Sequence, residues 1–280
     1  MKNIMNDSKK NISLKGLVFE ATEITIDGHV LSITLNRPEK RNAINTVMGN
    51  EIAYALSYAL QEKNIRVVVI KAKGKVFCAG GDLATMSGKV AETTSTVPKI
   101  GGFDSISSLI RNLNKPVICK IQGSVYAGAL LMVTNATHAI AVDDAKFAAP
   151  EIKRGIWPFM VMAGLFRVMP KRQGLDFIMR GEAIDAMTAE KYGLITQAVP
   201  KDELDLRVDE LANDFANLPP NTMKMGLEAY NRQDSMAFDE ALPYLNEQLA
   251  KCLEAEDAKE GIAAFFEKRE PKWKSKKDES

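Results

Sequence analysis

The chain has 280 residues, 46% hydrophobic and 26% charged, with 18 Gly and 11 Pro. This is the balance of one or two globular domains with a sizeable core, and it excludes collagen-like and low-complexity architectures. Thirty-seven basic side chains against thirty-six acidic ones leave a net charge of +1, so no global field favours nucleic acid or an anionic membrane. Three scattered cysteines, Cys78, Cys119 and Cys252, make no disulfide framework and fit a reducing compartment, and two histidines, His29 and His138, exclude a His-rich metal site.

Residues 1–15 form a polar, Asn/Lys-rich leader without the apolar stretch of a secretory signal. No window approaches the roughly 20 apolar residues that span a bilayer, so a soluble, cytoplasmic protein is expected. Residues 17–26 and 30–35 have strand character, with Gly28 at the turn between them. Residues 45–60 read as a helix with Asn45 or Thr46 as its cap. The β-branched runs 66–72 and 115–121 read as strands covered on both faces, followed by an apolar helix over 127–136 and a strand over 138–142. This alternation predicts parallel strands joined by crossovers. From about residue 160 the pattern turns helical, with one strand within 195–199 and a long helix over 235–264. The expected organisation is a β/α core over 16–204, a helical region over 205–273, and a frayed Lys/Ser/Asp-rich tail over 274–280. Residues 90–102, rich in Thr, Ser and Gly, are either a surface connection or a mobile lid.

Three segments could carry chemistry. Residues 77–83, Phe-Cys-Ala-Gly-Gly-Asp-Leu, come after a strand, and their paired glycines allow a ligand close to the backbone; an ordinary tight turn would use the same residues. Residues 122–129, Gln-Gly-Ser-Val-Tyr-Ala-Gly-Ala, put Gly128 at a helix N-terminus, where free amides favour a negative oxygen; close helix packing explains that glycine equally well. Two such turns in one core would let two backbone N–H groups converge on one carbonyl. Glu151, after Pro150 and among apolar residues, would have a raised pKa if buried, although Lys153 and Arg154 also suit a surface ion pair.

Together with Leu-Asn-Arg-Pro-Glu-Lys-Arg-Asn-Ala at 35–43 and Phe-Phe-Glu-Lys-Arg-Glu-Pro-Lys-Trp at 265–273, these segments stand in an order and spacing that resemble the crotonase superfamily, the enoyl-CoA hydratase/isomerase group. The resemblance runs from about residue 17 to 273. It implies an α/β fold: a crotonase-type spiral of ββα turns with a C-terminal helical oligomerisation region, assembled as a homotrimer or a homohexamer. It implies an acyl-CoA substrate, no cofactor beyond the coenzyme A moiety, and no metal.

By the same resemblance, the backbone of Ala43 and Ala79 would meet the adenine, and Lys40, Arg41 and Lys75 the phosphates. Gly80, Asp82 and Leu83 would continue that site, with Phe265 and Lys268 supplied by a neighbouring subunit. The amides of Gly81 and Gly128 would hold the thioester oxygen, Glu151 would move the proton, and Leu131 and Trp157 would face the acyl group. One departure stands out. Hydratases of this group carry a glutamate three residues after the second oxyanion glycine and another twenty residues later. Glu151 matches the second, but the first position is Leu131, and no Asp or Glu occurs between Gly123 and Val142. A lone carboxylate resembles the pattern of the Δ3,Δ2-enoyl-CoA isomerases. The alternatives are a hydratase in which Glu151 acts alone or with Asp82, and a non-catalytic acyl-CoA- or RNA-binding relative. The near-zero charge and the retained Glu151 argue against the last.

Overall fold

The computed structural model describes residues 12–87 and 93–273; the leader residues 1–11, residues 90–92 of the suspected lid and the tail 274–280 lie outside them. Two sheets form the core. The larger has the order β1-β2-β3-β5-β7-β10, with β1 Thr22–Asp27, β2 Val30–Leu35, β3 Val67–Ala72, β5 Val117–Ile121, β7 His138–Val142 and β10 Gln197–Val199. Its β1–β2 hairpin is antiparallel and every other pair is parallel. The smaller has the order β4-β6-β8-β9, with β4 Val76–Cys78, β6 Ser124–Tyr126, β8 Lys146–Ala148 and β9 Ile184–Asp185. Each turn of the spiral places one strand in the large sheet and the next in the small one: β3 then β4, β5 then β6, β7 then β8.

The β-branched runs explain the large sheet. Val67 to Ile70 and Val117 to Cys119 are buried, as strands covered on both faces must be. The helix Thr46–Gln61 begins where the Asn45 side chain accepts from the Met48 amide at 2.9 Å. It packs on β1 and β2 and also beneath the turn Phe103–Ser105, so most of its circumference is buried.

The smaller sheet is the main difference from the sequence expectation. Its strands are two or three residues long, too short to show a period. The helix expected over 127–136 is a 3₁₀ turn, Ala127–Ala129, followed by Leu130–Val133. The long C-terminal helix is two, Phe238–Glu254 and Glu256–Glu267, broken where Ala255 turns extended at ψ 154°. The helix Leu204–Ala216 lies against β2, β3, β5 and β7, whereas Pro220–Gln233 and the last two helices pack mainly on one another.

Residues 93–102 contain no regular element, but they are tied down. The Asn50 side chain accepts from the amides of Ile100 and Gly101 and donates to the carbonyls of Val97 and Pro98. Glu20 accepts from Thr93 and Thr94, and the Thr96 amide donates to the Val18 carbonyl.

Candidate active site

Strands β4, β6 and β8 run parallel and end side by side: Cys78 pairs with Val125, and Tyr126 pairs with Ala148. Each strand leads into one of the three segments singled out by chemistry, Ala79-Gly80-Gly81, Ala127-Gly128 and Pro150-Glu151. Ligands of parallel α/β sheets gather at such C-terminal edges. The three segments line one cavity of about 850 Å³. Its lining includes Lys40, Arg41, Ala43, Ala79, Asp82 and Leu83, together with Leu131 and the run 156–161.

The two glycine turns approach each other closely. Gly80 has φ +91°, and a Cβ added there would lie 2.9 Å from the Gly128 amide nitrogen. Ala127, the residue before Gly128, is also left-handed at φ 54°. Each candidate donor glycine thus comes after a residue of positive φ. The Ile44 amide donates to the Gly80 carbonyl and the Asp82 amide to the Ile44 carbonyl, each at 2.8–2.9 Å. Backbone groups alternate sides along an extended chain, so the Gly81 N–H between them points away from residue 44. Gly128 is the second residue of its 3₁₀ turn, where amides precede any intrahelical partner.

Lys40 and Arg41 are exposed on the loop 37–43, and buried Asn42 holds that loop. Its side chain accepts from the Arg37 amide at 2.9 Å and donates to the carbonyls of Lys73 and Val76. The Cys78 thiol donates to the Asn42 carbonyl at 3.0 Å, and burial pushes its pKa up to about 12, so it stays a neutral packing group. The Ala43 carbonyl accepts from the Arg37 guanidinium, and the Ala79 amide donates to the Arg41 carbonyl. Two residues expected in this chain's own site, Lys75 and Gly80, fall outside the cavity lining, as do the two expected to serve a neighbour. Lys75 is exposed outside the cavity lining, and Gly80 is buried behind it. Phe265 and Lys268 sit on the last helix and its cap, also outside the lining, with Phe265 78% exposed.

Three carboxylates line the cavity. Asp82 caps the short helix that begins at Leu83 and meets Arg37 at 3.2 Å. Burial would raise its pKa, but the Arg37 hydrogen bond and the Ala84 amide bring it below the usual value. Glu182 pairs with Lys153 at 2.7 Å. Glu151, in the 3₁₀ turn Pro150–Arg154, differs from both. Its Oε2 is buried without a hydrogen-bond partner, and burial raises its pKa, against the opposing pull of its own backbone amide and of Arg154. Leu131, three residues after Gly128, is 2% exposed and forms apolar wall. Trp157 is half-buried, its indole N–H donating to Met162 Sδ at 2.9 Å. Among the described residues no group of three or more His, Cys, Asp or Glu could hold a metal, and no helix is long and apolar enough to cross a membrane.

The family model of the enoyl-CoA hydratase/isomerases matches residues 25–276. The chain belongs to this family. A probable enoyl-CoA hydratase of Mycobacterium bovis is 31% identical, covering 92% of this chain and 99% of its own length. The carnitinyl-CoA dehydratase of Escherichia coli is 32% identical with the same coverages. A mevalonyl-coenzyme A hydratase of Aspergillus fumigatus is 31% identical, over 89% of this chain and 93% of its own. Among solved structures, an enoyl-CoA hydratase from Bacillus anthracis superposes with a TM-score of 0.83 at 26% identity, over 91% of this chain and 99% of its own. The fold is therefore of the crotonase type, and the protein is an enzyme acting on acyl-CoA, of the lyase or isomerase class.

Two features of this enoyl-CoA hydratase/isomerase site escaped the sequence reading. The Arg37–Asn42 brace lies inside the 35–43 motif, where a polar pair flanking Pro38 was the available signal. Phe103, whose ring lies over Gly128, had no local signal at all.

Proposed function

We propose that this enzyme moves a double bond, converting a 3-enoyl-CoA to its 2-enoyl isomer. The observation that carries the reading is the inequality among the cavity carboxylates: Glu151 alone has an unpartnered buried oxygen, while Leu131 occupies the position where the family's hydratases carry their first glutamate. In this mechanism the thioester oxygen accepts from the amides of Gly81 and Gly128. The Glu151 carboxylate takes a proton from C2, the C–H electron pair becomes the C1=C2 π bond of a dienolate, and the carbonyl π pair moves onto that oxygen as its negative charge. The carboxylic acid so formed returns the proton to C4. The C3=C4 pair bonds that proton, the C1=C2 pair shifts to form the C2=C3 double bond, the carbonyl re-forms, and Glu151 is again a carboxylate. Burial suits the first half of the cycle, since it raises the Glu151 pKa and a raised pKa makes a carboxylate a better base. Nothing is consumed, and no cofactor beyond the coenzyme A moiety takes part.

Coenzyme A would lie along Lys40, Arg41, Ala43, Ala79, Asp82 and Leu83, where two exposed cations meet the cavity. Leu131 and Trp157 would face the acyl group. Self-association as a trimer or hexamer is supported by an exposed apolar stripe on Phe238–Glu254, namely Phe238, Leu242, Leu245, Leu249 and Leu253. Phe265 and Lys268 would then serve a neighbour's site.

Hydration is the second reading, favoured by the names of the relatives. The deciding experiment offers 3-hexenoyl-CoA and crotonyl-CoA to the purified protein and tracks each product separately. Isomerisation outpacing hydration is expected. Hydration of crotonyl-CoA at an equal or greater rate overturns the proposal in favour of the hydratase.

A further inference from the structure

Phe103 reaches the cavity from a segment far in sequence from every motif. A Cβ built on Gly128 would lie 2.3 Å from Cζ of its ring, so the ring rests directly over the glycine whose amide is assigned to the thioester oxygen. The backbone that carries the ring is held by several independent contacts. Gly49, on the buried helix, approaches so closely that a Cβ there would lie 2.9 Å from the Phe103 amide nitrogen. The Gly102 amide donates to Ser105 Oγ at 3.0 Å, and that hydroxyl donates back to the Gly102 carbonyl at 2.7 Å. The preceding residues are fixed by Asn50, which is buried and uses both ends of its amide. These contacts fix the backbone from which the ring projects towards Gly128.

We infer that Phe103 is a specificity-determining residue: with Leu131 it denies water a seat beside the reacting carbons, so that the proton on Glu151 returns to C4 and no hydroxyl adds at C3. An ordered water needs two to four polar partners and a volume of roughly 30 Å³ in the liquid. Glu151 Oε2 supplies one partner; Phe103 and Leu131 contribute hydrocarbon to the wall of the same cavity. The same exclusion protects the proton in transit, because a carboxylic acid without a water neighbour exchanges slowly with solvent. This inference rests on the isomerase reading.

The test is turnover of 3-hexenoyl-CoA in D₂O, with deuterium at C4 of the product and 3-hydroxyacyl-CoA measured together, for wild type, Phe103→Ala and Phe103→His. Wild type should pass most of the proton internally. Phe103→Ala, which opens more room than one water needs, should raise deuterium at C4 severalfold. Phe103→His keeps an aromatic ring that adds nothing at the tip facing Gly128 and carries ring nitrogens, a second anchor for water, and should raise the hydrated product severalfold relative to isomerisation. Unchanged deuterium content and unchanged product ratio in Phe103→His, with circular dichroism and acyl-CoA affinity preserved, overturn the inference even if Phe103→Ala fails to fold. A wild type that hydrates as fast as it isomerises overturns the isomerase reading instead, so the two failures are distinguishable.

Discussion

Gly80 and Gly128 stand so close that a single methyl group on Gly80 would come within 2.9 Å of the Gly128 amide nitrogen and within 2.8 Å of Ala127 Cβ. Two turns from different layers of the spiral therefore meet backbone to backbone, and no side chain fits between them. Gly80 also has φ +91°, which an L side chain rarely adopts.

Gly80→Ala should accordingly shift both turns and spread the two donor amides. Losing one such donor typically costs about 10²–10³ in kcat. A fall of that order, with acyl-CoA affinity nearly kept, is expected from steady-state kinetics combined with calorimetry on a saturated acyl-CoA. Wild-type kcat in Gly80→Ala would show that the turns do not form a common oxyanion site.

Glu151→Gln keeps the shape but removes the proton carrier. Removing a general acid–base typically costs about 10²–10⁴ in rate, and a lone carrier belongs at the upper end. Affinity for acyl-CoA should hardly move, since the cations at 40 and 41 lie on a different segment from the Glu151 turn. Activity of the variant within tenfold of wild type, roughly one pKa unit's worth of free energy, would remove Glu151 from the mechanism.

The pH dependence comes from burial. Glu151 has its pKa raised above the ordinary value of 4.5, and it works first as a base. The rate should therefore rise with pH through a midpoint above that value. Stability runs the other way. A carboxyl whose folded pKa is raised contributes stability that is present below its unfolded pKa and lost as pH rises through the folded one. Thermal unfolding of wild type and Glu151→Gln across this window should show that loss in wild type and not in the variant.

Leu131→Glu would set a second carboxylate in the cavity wall. It should raise hydration of crotonyl-CoA relative to isomerisation, and it should lower stability, since burying an uncompensated charge costs several kcal/mol. Rates on the two thioesters and a denaturant melt check both halves. An unaltered product ratio in folded variant would mean that Leu131 has no part in choosing the reaction.

Asn42→Ala strips three side-chain hydrogen bonds from a buried residue at φ 53°. Unsatisfied buried partners cost about 1–3 kcal/mol each. The variant should unfold at lower denaturant and bind acyl-CoA more weakly, because the loop carrying Lys40 and Arg41 loses its anchor. Equal affinity in a folded variant would separate that loop from the coenzyme A site.

Much was legible in the residues alone. The apolar runs at β3, β5 and β7, the Asn45 cap, the order of the motifs, and the presence of Glu151 without an acidic partner at 131 are all local facts of composition and spacing. The second sheet was not legible, because strands of two or three residues carry no period and are stabilised by neighbours that arrive from other turns of the spiral. For the same reason only the tertiary structure decided which carboxylate is free. Asp82 and Glu151 look alike in sequence, but Arg37 from a distant loop pairs with the first, whereas Oε2 of the second is buried without a hydrogen-bond partner. The placement of Phe103 over Gly128 belongs with these. A contact between a glycine and a ring from an aperiodic segment leaves no trace in either stretch of chain, since its cause is the closed path of the backbone around Asn50 rather than any local preference.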